Sequence, residues 1–175
     1  MEQPRELLSA QEIAKRVASL ATEIDQQYVS SRELVLVGVL KGSFIFLSDL
    51  ARALTVPHRI EFIAVSSYGD KESDEAGRVK LVMDVRHDIA NADVLIVEDI
   101  VDTGHTLLYL TRLFEARGPR SLRTCTLLHK PARKRVENGL DYVGFEIPDV
   151  WVVGYGLDFA ERHRTLPNIC SIPPQ

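Results

Sequence analysis

Residues 93–107 read DVLIVEDIVDTGHTL. The first part, DVLIVED (93–99), is an apolar run that ends in adjacent acids. Valine, leucine and isoleucine without polar alternation suit a strand buried on both faces, as in a parallel sheet. The character then changes. Asp102-Thr103-Gly104-His105-Thr106 is a turn rich in threonine and glycine, and residues 105–116 repeat Leu107, Leu110 and Phe114 at helical spacing before Gly118 stops them. A strand that feeds a helix through a polar turn is the repeating unit of an α/β fold. Ligands of such sheets sit beyond the C-terminal ends of the strands, where these acids lie.

The same alternation extends outward. Ser9 and Glu12 form a capping box for a predicted amphipathic helix over 10–28. ELVLVGVL (33–40) is a valine-rich strand, broken by Lys41-Gly42-Ser43, and 44–54 read as a helix. Further strands are predicted at 59–66, 79–84 and 121–130. Between the first two of these, SYGDKESDEAGR (67–78) is polar and glycine-punctuated, as expected of a mobile lid. After Pro131 the tail alternates short strands and turns: YVGFEIP, VWVVGYGLD, LPNICSIPPQ. The predicted class is α/β, with a mainly parallel central sheet flanked by helices. No repeat or linker divides it.

Bulk properties narrow the function classes. A chain of 175 residues suits one domain and buries roughly 70% of its unfolded surface. A formal net charge of −4 argues against a general nucleic-acid or membrane binder. No apolar run approaches the roughly 18–20 residues of a membrane span. The N-terminus shows no continuous apolar stretch of the signal-peptide kind. The two cysteines, Cys125 and Cys170, fit no metal site or CxxC pattern, and their pairing stays open. The expected compartment is the reducing cytoplasm.

The acidic turn suits two chemistries side by side. Helix N-terminal amides, with the Thr103 and Thr106 hydroxyls, make a phosphate cradle. Gly104 lets the backbone come close to the anion. Glu98 and Asp99 just upstream would repel a phosphate, so they suit neutral hydroxyls or a divalent cation. A ligand with a phosphate at one end and a diol nearby, such as ribose 5-phosphate, fits both halves. A lone Asp here would read as a strand end or helix cap. Three carboxylates within five residues, between apolar flanks, are costly without a ligand.

Residues 97–107, VEDIVDTGHTL, resemble the phosphoribosyl-diphosphate motif of type I phosphoribosyltransferases, in the variant of the hypoxanthine-guanine branch. Leu40-Lys41-Gly42-Ser43 resembles that family's pyrophosphate loop, which often holds a non-proline cis peptide. Ser67-Tyr68 resembles the opening of its catalytic lid. Lys130 ends a strand as its purine-contacting lysine does, and residues 149–158 (DVWVVGYGLD) resemble its base-binding segment. The resemblance covers roughly 7–172. It implies one phosphoribosyltransferase domain over 1–175. The core would span about 10–148, and a small hood would form from the N-terminal residues and about 149–175.

The resemblance also implies a reaction: transfer of the 5-phosphoribosyl group from phosphoribosyl diphosphate to hypoxanthine, and to guanine, with Mg²⁺ and release of pyrophosphate. Glu98 and Asp99 would hold the ribose hydroxyls, directly or through Mg²⁺. Asp102 would be the catalytic acid/base partner of purine N7, in a dry site. Thr103, Gly104, His105 and Thr106 would bind the 5′-phosphate, with His105 a neighbour and not a catalyst. Lys41 and Gly42 would bind pyrophosphate, largely through backbone amides, Lys130 the purine O6, Trp151 the purine face and Val152 the purine edge through its backbone. Asp158 would ligate a second Mg²⁺, and Arg164 would contact pyrophosphate, with Arg162 as the rival for that role. Taken singly, Lys41 and Lys130 also read as solvated charges, and Trp151 as core packing.

Family habit implies a homodimer or homotetramer. A signalling receiver domain is set aside because its acid pair follows the first strand. Two alternatives remain: a nucleic-acid-binding regulator that keeps the motif, to which the basic patch at 129–135 (HKPARKR) would belong, and a xanthine-preferring enzyme.

Overall fold

A computed structural model describes residues 4–68, 78–133 and 139–172. Nine strands and three helices follow in chain order among them: β1 (Arg5–Leu8), α1 (Ala10–Tyr28), β2 (Leu34–Leu40), α2 (Phe44–Ala53), β3 (His58–Tyr68), β4 (Arg78–Met83), β5 (Asp93–Val101), α3 (His105–Glu115), β6 (Ser121–His129), β7 (Tyr142–Glu146), β8 (Trp151–Val153) and β9 (Ile169–Ile172). One 3₁₀ turn, Pro131–Arg133, follows β6.

The central sheet has six strands in the order β4-β3-β2-β5-β6-β7. All neighbours are parallel except β3 and β4. Strand residues alternate between faces, and here both faces are apolar. Leu34 and Leu36 of β2, with Leu95 and Val97 of β5, pack against α1 and α2. Val35, Val37 and Val39, with Val94 and Ile96, pack against Leu107, Leu110 and Phe114 of α3. That two-sided burial is why these strands show no polar alternation. The capping box at Ser9 and Glu12 starts α1 as expected. Gly118, at φ +67°, takes the left-handed position after α3.

Chain order reverses between β2 and β5, since β3 lies on one side of this pair and β6 on the other. Such a switch point opens a crevice at the carboxyl ends of the two strands. The Lys41 loop follows β2, and the acids Glu98 and Asp99 lie in the C-terminal half of β5. A second, antiparallel sheet, β1-β9-β8, joins the two ends of the chain.

Three expectations change. Strand β5 does not end at the acids: Ile100 and Val101 still pair with Leu128 and His129 of β6. The N-terminal segment holds a strand, β1, unseen in its charged pattern. The expected lid is shorter than 67–78, because Ser67 and Tyr68 belong to β3 and Arg78 to β4; residues 69–77 lie outside the described residues.

Candidate functional site

Glu98 is 5% exposed near the C-terminal end of β5, and Asp99 beside it is partly buried. Burial pushes the Glu98 carboxyl up to about 8, and the Asp99 charge adds to this. Burial likewise pushes Asp99 up to about 6. Backbone amides and Arg164 oppose that rise, while Asp158 adds to it. Among the described residues no cationic side chain pairs with Glu98. Two adjacent acids held this way are unfavourable by themselves and suit a partner from outside the chain.

The Lys41 loop leans directly on this pair. The Leu40–Lys41 peptide is cis. A Cβ on Gly42 would overlap the Asp99 carboxylate, and a Cβ on Gly156, at φ +103°, would overlap the Gly42 carbonyl oxygen. Asp99, Gly42 and Gly156 therefore stack in sequence, bringing three distant segments together. Tyr155 pins the last of them, since its hydroxyl donates to Asp49 of α2 at 2.6 Å.

Gly104 is the N-cap of α3 with φ +88°, a left-handed conformation that costs glycine little. It turns the chain from the end of β5 into α3, and the first turn of a helix is where anions are favoured. Thr103, His105 and Thr106 are partly exposed there.

The Asp102 side chain is 36% exposed as a whole, but its Oδ1 is buried and accepts no hydrogen bond among the described residues; it lies 2.7 Å from Arg133 Nε as an ion pair. Arg133 also lies 3.5 Å from Asp149, and Lys130 Nζ lies 3.8 Å from the same carboxylate. Lys130 is 6% exposed, so it is no solvated surface lysine. Its amide donates to Val101 O at 3.0 Å, which sets it beside the end of β5. Sequence reasoning did not single out Arg133; it lies in the basic patch at 129–135 that was assigned to a nucleic-acid-binding alternative.

Trp151 is 57% exposed, which excludes plain core packing. Its ring meets Phe159 edge-on, with centroids 6.0 Å apart. Val152 lies in β8, an edge strand paired only with β9 within its sheet, leaving the other edge for a ligand. Arg164 is drawn inward: it bonds Gly156 O at 2.9 Å and pairs with Asp158 at 2.9 Å and Glu161 at 3.2 Å. Its rival Arg162 is exposed. Glu161 also pairs with Lys41 at 3.2 Å. Lys41 and Arg164 hold the Glu161 carboxyl below the usual carboxylate range.

Asp158 stands close enough to Asp99 for their charges to repel, but among the described residues no three ligating side chains converge. Paired carboxylates with positions left over fit Mg²⁺, which commonly takes one or two carboxylates and fills its shell with water and substrate oxygens.

Comparison with known proteins agrees with this geometry. The family model of the phosphoribosyl transferase domain matches residues 4–160. A hypoxanthine-guanine phosphoribosyltransferase of Dictyostelium discoideum is 48% identical over 166 residues, 93% of this chain and 92% of that one. A hypoxanthine phosphoribosyltransferase of Salmonella typhimurium is 47% identical over 162 residues, covering 92% and 90%. Among solved structures, a hypoxanthine-guanine phosphoribosyltransferase of Bacillus anthracis superposes with TM-score 0.92 at 42% identity, covering 98% of this chain and all of that one. The hypoxanthine phosphoribosyl transferase of Trypanosoma cruzi gives 0.93 at 43% identity, covering 99% and 94%.

Proposed function

Because this chain belongs to the phosphoribosyltransferase family, we propose that it transfers the 5-phosphoribosyl group of phosphoribosyl diphosphate to hypoxanthine, and to guanine, in purine salvage. The products are IMP or GMP and pyrophosphate. The observation that carries the reading is the buried Glu98–Asp99 pair, set between a helix N-terminus and the Gly42 loop. It offers acceptors for a diol next to amides for a phosphate.

On this reading the bond from ribose C1′ to the pyrophosphate oxygen breaks, and a purine nitrogen bonds to C1′. Positive charge spreads over the sugar as this happens. Glu98 and Asp99 hold the ribose hydroxyls and stabilise that charge. Thr103, Gly104, His105 and Thr106 fix the 5′-phosphate, while Lys41, Gly42 and Arg164 receive the pyrophosphate. Asp102 takes the proton from purine N7. Lys130 donates to O6, Trp151 covers the ring face and the β8 backbone at Val152 meets the ring edge. One Mg²⁺ at Glu98 and Asp99 and a second at Asp158 would neutralise charge on the donor and its leaving group.

The six-stranded sheet serves as the catalytic core, and the β1-β9-β8 sheet as the hood that brings the base-binding segment over it. Exposed Phe44, Ile60, Phe62 and Met83 support a homodimer or homotetramer. A cytoplasmic setting agrees with two free, buried cysteines, and no helix is long and apolar enough to cross a membrane.

Steady-state kcat/KM with phosphoribosyl diphosphate, Mg²⁺ and each of hypoxanthine, guanine and xanthine tests the reading. Hypoxanthine is expected first, guanine next and xanthine third. Equal and very low values for all three overturn it.

A further inference from the structure

Glu161 bridges two cations from opposite ends of the site. Its Oε2 lies 3.2 Å from Lys41 Nζ and its Oε1 lies 3.2 Å from Arg164 Nη2. Lys41 follows β2, and Arg164 lies 123 positions later in the chain, beyond β8. The carboxylate is thus an anion with each oxygen on a different segment. It is also a tethered anion under backbone tension. Ala160, Glu161 and His163 all take positive φ, at 51°, 62° and 72°, a region that non-glycine side chains rarely adopt. The Glu161 amide donates to Asp158 Oδ2 at 2.8 Å, which aims the turn at the two cations.

We propose that Glu161 is an internal stand-in for pyrophosphate: it occupies the Lys41 and Arg164 cations when the leaving-group site is empty and competes with the diphosphate for them. This rests on the reading of Lys41 and Arg164 as the pyrophosphate-binding cations. When the donor binds, its diphosphate displaces the carboxylate and the strained turn swings outward. When pyrophosphate is ready to leave, Glu161 returns and takes over its partners. The contacts to be displaced are cheap to open, since Lys41 and Glu161 are both about two-thirds exposed and such pairs are weak. A weak competitor is what fast release needs, because product departure often limits turnover.

Glu161→Gln keeps the size of the side chain and removes its charge. The expected result is pyrophosphate binding tighter by roughly three- to tenfold, the scale of one or two exposed ion pairs. Titration of inorganic pyrophosphate with Mg²⁺ into the full-length protein reads this directly, and product inhibition reads it in turnover. KM for the donor falls in step, and KM for the purine stays unchanged. Glu161→Ala serves as a second variant, with the same expected direction. Unchanged or weaker pyrophosphate binding in both variants overturns the proposal, as does an equal shift in purine KM, which marks a merely structural role. Lys41→Met run in parallel separates the two levels. If it weakens pyrophosphate binding while the Glu161 variants do not tighten it, the site reading stands and the competitor falls. If Lys41→Met changes nothing, the Lys41 ammonium is no pyrophosphate contact and the competitor falls with it.

Discussion

Arg133 reaches back across the end of β6 to hold Asp102, with Nε 2.7 Å from Oδ1. The carboxylate proposed to face the purine is therefore already partnered by a guanidinium that also faces Asp149. An incoming base must displace this contact before it can offer its own proton. Arg133→Met is expected to lower the purine KM about two- to fivefold, on the scale of one partly exposed ion pair. Steady-state kinetics at saturating donor checks this; a raised KM would make Arg133 a direct purine contact.

Asp102→Asn keeps the shape of the side chain and removes its basicity. Turnover is expected to fall by roughly 10²–10⁴, the usual worth of positioned acid–base help. Donor affinity should hold, since Glu98, Asp99 and the α3 amides are untouched. Unchanged kcat would remove Asp102 from the chemistry.

Gly42→Ala drives a methyl group into the Asp99 carboxylate. The fold should survive, because the collision lies at an open crevice. Donor KM should rise at least tenfold and kcat should fall with it. A thermal melt alongside kinetics distinguishes this from general unfolding.

Trp151→Ala removes an exposed ring, so its stability cost should stay within about 0.5 kcal/mol. The expected loss is in purine affinity. Stacking of a base on an aromatic ring is worth about 1–3 kcal/mol, so purine KM should rise roughly five- to 150-fold. A fall in melting temperature with no change in KM would count against stacking.

Asp93, at the far end of β5, governs acid stability. The Arg120 guanidinium, with the Ser31 and Ser121 hydroxyls, holds its carboxyl down to about 2, from an ordinary 3.8. A depressed folded value favours the folded state above the unfolded one, and the benefit is lost as pH falls from about 4 to about 2. The amount is about 2 kcal/mol. Denaturant unfolding at pH 7 and at pH 2.5 should show Asp93→Asn less stable at the higher pH. The gap to the unsubstituted chain should narrow at the lower one.

Element order was legible in the sequence wherever burial was two-sided. The runs at 33–40 and 93–99 announced parallel strands because Val, Leu and Ile faced both helical layers. Strand β1 was not legible: four residues beginning Arg-Glu carry no periodicity, and the partner, β9, lies more than 160 positions away. The continuation of β5 through Val101 was hidden because adjacent acids imitate a strand end. Individual site residues were readable where a motif named them. Arg133 and Glu161 were not, because their partners are set by strand adjacency and by a turn of left-handed residues. Neither leaves a mark in local composition.

The stack of Asp99, Gly42 and Gly156 has a consequence for how such an enzyme can change. On the proposed reading, the loop that takes the donor's pyrophosphate and the segment that takes the base meet at two glycines, Gly42 and Gly156, where a Cβ on Gly156 would strike backbone. Any residue bulkier than glycine there disturbs both substrates at once. A shift in purine preference must therefore arise on the outer rim, at Trp151, Asp149 or Lys130, where one pocket can be reshaped while the other keeps its form.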